Sequence, residues 1–503
     1  MGFIQKDALR TTILSFFGLL LGYVNKGVLF IYILKTEEIG LINLILSVGI
    51  LFGQLSNLGS INSISKFLPF FLESDKQKRS FLRVNLIFVS IGVLIFSSIA
   101  FLLHDNIVHF YDEKSSLFVD YYYWIVPIGI ANVFFYVFET YLRSMHKNLL
   151  SVFMYDFVLR LFTTVLLFLL IFKIIYFPLF FILICLSYFI PSLVLFIYLI
   201  KIDEIRFQKE PFKISKKFKK IIFSYSLFSY SNSIAALSVM TMDSLMIAYY
   251  IGLKETGVYT TIIFLISALQ VPYKSLTRVS NPLIPIYWKE KNMAKMSLLY
   301  KKISSISLII SLYMFLVIWV NRDNLFTFLP SEYLAGIWVF FFLMIGRIND
   351  MYFGLNTTIL ITSKKYKYDI IFTFSLLLIV FILNYWLIPI YGIIGAAIST
   401  SFAIIVNNIG RLLVVLKWFK IHPFEIYQLY VFVLFFSILF LSQFLNILHL
   451  NKYVQISINL FLITSIYFGV ILKFKWNLDL NIYLNNIYIK LFNKKKEDNL
   501  LDV

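Results

Sequence analysis

The sequence predicts an all-α polytopic membrane protein of about fourteen transmembrane helices, and three observations predict it. Hydrophobic residues fill 60% of the 503 positions and charged residues only 14%, with a mean hydropathy of +0.85, far more apolar than a soluble core requires. The apolar positions fall into runs of about twenty or more, enough at 1.5 Å per residue to cross a hydrocarbon layer of about 30 Å. Lysine and arginine gather in alternate breaks between the runs, as expected of loops that face the cytoplasm.

In order, the expected spans are 11–34, 39–65, 81–103, 118–142, 150–172, 177–200, 222–250, 257–284, 303–320, 333–360, 369–390, 391–415, 426–446 and 453–472. Two divisions rest on breaks of a few residues, near Lys173 and from Pro389 to Gly392. Charge checks the count. One side collects Lys6, Arg10, the cluster from Lys66 to Arg83, Arg143, Lys147, the connector Lys201 to Lys220, Arg278 to Lys302, Lys364 to Lys367, Arg411 to Lys420 and the basic residues from Lys473 onward. The other side holds Lys35, Lys114, Lys173, Lys254, Arg322 and Lys452, and four cations lie within spans: Lys26, Arg160, Lys274 and Arg347. Both termini are therefore expected in the cytoplasm of a multi-pass inner-membrane protein. No small-residue cleavage site follows the first span, so it reads as an uncleaved helix.

The net charge of +19 is a topology signal in short loops and not a nucleic-acid surface. The single cysteine, Cys185, leaves no intramolecular disulfide, and histidines 104, 109, 146, 422 and 449 show no metal-ligand spacing. No metal or other cofactor is expected. The outer loops near His104 to Ser116 and Asn321 to Glu332 are too short for a catalytic domain, so the protein is expected to work within the bilayer and not as an enzyme. Trp476, Leu480, Leu484, Ile487 and Leu491 recur at helical spacing, which predicts an amphipathic tail on the inner membrane surface.

The first span carries a polar anomaly. Ser15, Gly18, Gly22, Asn25 and Lys26 share one helix face, either a close-packed interface or the wall of a cavity. A lysine at such depth costs about 2.5–3.5 kcal/mol on insertion scales, so it should face protein or water. Glu38-Ile39-Gly40 recurs as Glu255-Thr256-Gly257 after 217 positions, and Phe67-Leu68-Pro69 as Leu283-Ile284-Pro285. The same shift sets Asp243 opposite Lys26, in a seventh span whose Ser229, Asn232, Ala236 and Asp243 form a matching stripe. A shift of six spans preserves orientation and implies two parallel six-helix repeats. The expected organisation is an N-terminal lobe (1–200), a basic connector (201–220), a C-terminal lobe (221–420), two further spans (421–472) and a tail (473–503). A Lys26–Asp243 ion pair between repeats is expected, the alternative being that each charge is satisfied separately.

The stretch Asn384-Tyr-Trp-Leu-Ile-Pro389-Ile-Tyr-Gly392-Ile-Ile-Gly395-Ala396-Ala397-Ile-Ser399-Thr400 resembles a signature of the oligosaccharide and polysaccharide flippases of the multidrug, oligosaccharidyl-lipid and polysaccharide exporter superfamily. Glu37 to Gly40 with Lys66 to Pro69, Pro272 to Leu276 with Asn281-Pro282, and Asp350 to Gly354 with Ser363 to Lys365 resemble the same family in order. Physically the signature is a tight hairpin: Pro389 ends a helix, Gly392 turns the chain, and Gly395 to Ser399 offer a small packing face. The resemblance implies two six-helix lobes around a cleft, two extra C-terminal helices, and alternating access. It also implies translocation of an undecaprenyl pyrophosphate-linked oligosaccharide for lipopolysaccharide O-antigen or other surface polysaccharide.

Such a cargo presents phosphates, which need cations in a hydrated cleft. The substrate-binding candidates are Arg347, Lys274, Arg278, Gln270, Lys26 and Asn25; Gln270, Lys274 and Arg278 form an i, i+4, i+8 stripe. Arg347 has Asp350 three positions on, which reads either as a helix-ordering ion pair or as a phosphate contact with a tuning acid. Asp156–Arg160 and Glu139–Arg143 are spaced for local pairing. The gating or coupling candidates are Lys26, Asp243, Asp350 and Glu139, with protons or sodium as the coupled ion. Expected partners are the lipid-linked oligosaccharide, membrane lipids and polysaccharide assembly proteins. The rival functions are a cation-coupled drug or metabolite antiporter of the same superfamily and a membrane polysaccharide polymerase or ligase.

Overall fold

The structure is a computed structural model that describes residues 3–206, 214–445 and 451–476. Among these residues thirteen helices are long and apolar enough to cross a membrane, and a bent pair makes fourteen if counted as one span. In order they are Arg10–Ile33, Thr36–Ser56, Asp75–Leu102, Tyr122–Ser144, Leu149–Ile171, Phe177–Lys201, Lys216–Tyr250, the bent pair Leu253–Leu269 with Val271–Lys289, Met293–Val320, Ser331–Phe353, Lys367–Tyr391, Ile393–Phe419, Ile426–Gln443 and Lys452–Lys473. The two short breaks are true turns: Lys173 (φ 58°) and Gly392 (φ 60°) both take the left-handed conformation that reverses a chain quickly. Pro389 lies inside its helix, which runs on to Tyr391, so Gly392 and not the proline ends it.

Several expected spans are interrupted, the second, eighth and tenth among them. The second helix stops at Ser56 and resumes at Ser60–Phe67 after a turn in which Leu58 (φ 45°) and Gly59 (φ 82°) are left-handed. Asn57 Oδ1 accepts the Gly59 N–H at 2.8 Å and so stabilises the turn. The eighth bends by 51° at Gln270, just before Pro272, which lacks the N–H to continue the ladder. The tenth breaks at Gly354, where a Cβ would lie 1.6 Å from the Tyr273 hydroxyl.

Packing divides the chain into two compact units, Met1–Phe264 with Thr373–Ser399 and Leu265–Phe372 with Thr400–Val503. In the first unit one apolar core gathers Leu41, Ile45, Ile128, Leu167 and Phe180, and a second gathers Ile64, Phe81, Val137, Tyr141 and Leu195. The loop expected near His104 is a helix, His104–Asp120, whose Ser115 Oγ and Tyr111 hydroxyl donate to the Ala248 and Leu245 carbonyls at 2.7 and 3.2 Å. Burial pushes the Tyr111 phenol up to about 12. At the start of the connector Arg206 donates two hydrogen bonds to Asp203, which hold that carboxyl below its usual range. In the second unit the last span packs on the ninth, with the Tyr467 hydroxyl donating to the Ile309 carbonyl at 2.9 Å and Asn459 Nδ2 to Asn321 Oδ1 at 3.0 Å. The expected tail helix beyond Trp476 lies outside the described residues.

Candidate functional site

The polar stripe of the first span is a helix interface over most of its length. Ser15 Oγ donates to Asp156 Oδ2 at 2.8 Å, and a Cβ on Gly18 would lie 2.1 Å from the Asp156 carbonyl oxygen. Gly22 lies against the Arg160 guanidinium. Asn25 is buried, its Nδ2 donating to the Arg160 carbonyl at 2.8 Å while its Oδ1 accepts from Thr164 Oγ1 at 2.8 Å. Both packed segments contain a π-helical turn, Asn25–Leu29 and Phe153–Val158. Such a turn inserts one extra residue into the helix.

Lys26 and Asp243 do not pair, contrary to the sequence expectation. Lys26 Nζ donates to Asn43 Oδ1 at 3.0 Å, and Asn43 Nδ2 donates to Thr260 Oγ1 at 3.1 Å. Asp243 is buried, and its two oxygens accept from the Tyr259 hydroxyl at 2.5 Å and from Asn384 Nδ2 at 2.8 Å. Lys26 and Asp243 thus have different hydrogen-bond partners. Charge and spacing do not single out the mid-span residues Asn43, Tyr259, Thr260 and Asn384, although a polar side chain deep in an apolar run is the signal that finds them.

The repeat appears as a physical contact. Thr36, Gly40 and Asn43 correspond to Leu253, Gly257 and Thr260 at the 217-residue shift. A Cβ on Gly40 would lie 2.0 Å from the Leu253 carbonyl oxygen, and one on Gly257 would lie 1.8 Å from the Thr36 carbonyl oxygen. Gly40 meets Leu253 while its counterpart Gly257 meets Thr36, the counterpart of Leu253, which is the reciprocal pattern of a two-fold contact.

Glu139 pairs with Arg143 at 3.2 Å, and Asp156 with Arg160 at 3.9 Å, as local i,i+4 spacing expects. In the second unit, the Arg347–Asp350 pair does not form. Half-buried Arg347 takes part in no hydrogen bond or ion pair among the described residues. Asp350 instead faces Asn408, whose Nδ2 lies 3.5 Å from Asp350 Oδ1 and 3.1 Å from Asn349 Oδ1. Asn408 is held in turn because its carbonyl accepts from Asn356 Nδ2 at 3.1 Å, and Asn356 Oδ1 accepts from the Tyr300 hydroxyl at 3.1 Å. Arg411 forms an ion pair with Asp369 at 3.0 Å.

Lys274 and Arg278 are exposed on the helix after the eighth-span bend, while Gln270 sits at the bend itself, half-buried. Tyr273, adjacent to Lys274, packs on Gly354 two turns after Arg347 in sequence. Among the described residues Arg347, Lys274 and Arg278 have no acidic partner, and the contact of Tyr273 with Gly354 brings their two helices together. A guanidinium kept inside a span without a counter-charge is suited to a hydrated surface that an anion visits.

A family model described as polysaccharide biosynthesis protein matches residues 4–288. No curated protein matches the chain in sequence. Among solved structures, the lipid II flippase MurJ in an inward closed conformation superposes with a TM-score of 0.68 at 15% identity, over 92% of this chain and 99% of that one. An inward-facing multidrug resistance transporter of the MATE family, in the MOP superfamily, gives 0.60 at 15% identity over 82% and 98%. A MOP superfamily transporter from Pyrococcus furiosus gives 0.54 at 15% identity over 83% and 96%. At these identities the likeness is one of fold.

Proposed function

This chain belongs to the polysaccharide biosynthesis protein family, and from that premise we propose that it is a flippase which carries an undecaprenyl pyrophosphate-linked oligosaccharide across the inner membrane for surface polysaccharide, such as O-antigen. The observation that supports this reading is Arg347, a half-buried cation within a span and free of acidic partners. Its guanidinium matches a phosphate group, and Lys274 and Arg278 on the neighbouring helix supply further positive charge at the basic side of the membrane. That side is the cytoplasm by the positive-inside rule, with both termini there.

In this scheme the lobes are 1–200 and 221–420, and they rock so that the contact of the second and eighth spans at Gly40 and Gly257 closes and opens. Lys26 and its Asn43–Thr260 chain belong to the outer gate, with Asn25 fixing the turn that presents Lys26. Asp243, Glu139 and Asp350 are the acids through which a proton or sodium gradient drives the cycle, and Gln270 is the hinge next to the phosphate-binding helix. Polysaccharide assembly proteins collect the glycan at the outer face. The protein performs no covalent chemistry. Depleting it in a strain without another such transporter should trap the labelled lipid-linked glycan in the inner leaflet, and arrival at the outer leaflet at the normal rate would exclude this role.

A further inference from the structure

We propose that the first unit holds a binding site for an anionic phospholipid of the leaflet on the lysine-rich side, separate from the cations assigned to the cargo. The site is a cavity of about 490 Å³ at the break of the second span, lined on one side by Leu58, Gly59, Ser60 and Ser63, and on the others by the third and seventh spans. A volume of this order is typical of pockets that enclose a small ligand.

Backbone that leaves helical geometry at membrane depth is tolerated only where it is buried in protein or lines a cavity. The left-handed residues Leu58 and Gly59 lie in such a place, and both line this cavity. Its walls divide by chemistry. Phe88, Val84, Ile222 and Phe223 make an apolar side, whereas Ser60, Ser63, Asn85 and Ser226 make a polar one. Most of the polar groups are committed: Ser60 Oγ donates to the Asn85 carbonyl at 3.3 Å and Asn85 Nδ2 to the Phe81 carbonyl at 2.8 Å. Ser226 is different, being 9% exposed with a hydroxyl that has no hydrogen-bond partner among the described residues. Exposed Lys219 completes the lining, about two turns before Ser226 and at the boundary where the basic loop residues begin.

A lysine at headgroup depth, the polar wall of Ser60, Ser63 and Asn85 and the apolar wall of Phe88 and Phe223 fit one occupant, a lipid whose phosphate lies at Lys219 and whose chain runs along Phe88 and Phe223. A free phosphate would leave the apolar wall without a partner, and a hydrocarbon would make no use of the Lys219 charge. The phospholipid satisfies both.

Native mass spectrometry of delipidated full-length protein, titrated with phosphatidylglycerol, tests this. The wild type should retain or rebind one lipid at a saturable site. Lys219→Glu, at an exposed position that does not challenge folding, should weaken that binding by about tenfold or more, and Ser226→Leu, which fills the cavity, should abolish it. Equal binding by the wild type and Lys219→Glu would overturn the proposal, whatever the folding of Ser226→Leu. Displacement of phosphatidylglycerol by undecaprenyl phosphate at equal or lower concentration would also overturn it, since the cavity would then serve the prenyl lipid.

Discussion

Gly40 and Gly257 stand 217 positions apart in sequence and lie against each other in the fold, each so close to the other helix that a methyl group would fall about 2 Å from a carbonyl oxygen. The second and eighth spans are thereby in backbone contact at the membrane face opposite the basic loops, with Asn43 and Thr260 hydrogen-bonded one turn deeper. Small residues permit this approach, and no side chain larger than hydrogen does.

Gly40→Ala or Gly257→Ala should therefore hold this contact apart. Overpacking of this kind costs about 1–3 kcal/mol, enough to shift a balance of open and closed states by about tenfold or more. Thr260→Cys labelled with a membrane-impermeant maleimide reports the change: labelling should be slow with both glycines present and fast in either alanine variant. Native Cys185 is buried and gives little background.

For Lys26, the hydrogen bond to Asn43 makes a definite prediction about charge exchange. Lys26→Asp combined with Asp243→Lys should fail to restore the activity lost in the single variants, because the two side chains have different partners. Asn43→Asp should be tolerated, since it converts the Lys26 hydrogen bond to an ion pair. Cell-surface polysaccharide, measured by immunoblot, distinguishes these outcomes; recovery in the exchanged pair would restore the direct Lys26–Asp243 arrangement.

Asp243 depends on two neutral donors. Tyr259→Phe and Asn384→Ala should each destabilise the first unit by about 1–3 kcal/mol, the cost of leaving a buried acceptor short of a partner. Asp243→Asn should be milder in stability, because an amide still accepts from Tyr259. Thermal unfolding in detergent measures all three, and an unchanged midpoint in Tyr259→Phe would mean that its hydroxyl contributes nothing there.

Arg347 and Arg411 offer a contrast within the second unit. Arg411→Ala removes the ion pair of buried Asp369 and should cost about 3–5 kcal/mol. Arg347→Ala removes no ion pair, so stability should hold while transport falls by at least about tenfold, with Arg347→Lys retaining part of it. A large loss of stability in Arg347→Ala with normal transport of the remaining folded protein would remove this residue from the binding role.

Much of the fold was legible because lipid imposes a simple rule: apolar length and loop charge give the spans, even across the short turns at Lys173 and Gly392. The interruptions at Gly59, Gln270 and Gly354 were harder to read, since each lies inside an apolar run long enough to span without a break. Asn57 and Gly59 carried a turn signal that hydropathy outweighed. Site pairings fared worse. Sequence spacing correctly joined Glu139 to Arg143, a local matter of helix geometry, but it also joined Arg347 to Asp350, where Asn408 from a distant span lies beside the acid. The repeat located the counterpart of Lys26 in Asp243, yet Lys26 meets Asn43, seventeen positions along the chain.

The most direct test of the flippase role uses purified protein in sealed proteoliposomes with an undecaprenyl pyrophosphate-linked oligosaccharide labelled on its glycan. Digestion of the exposed glycan by an impermeant glycosidase should rise from the outer-leaflet fraction toward completion with wild-type protein and stay near that fraction with Arg347→Ala. Equal digestion with and without the wild-type protein would contradict transport of this lipid-linked glycan.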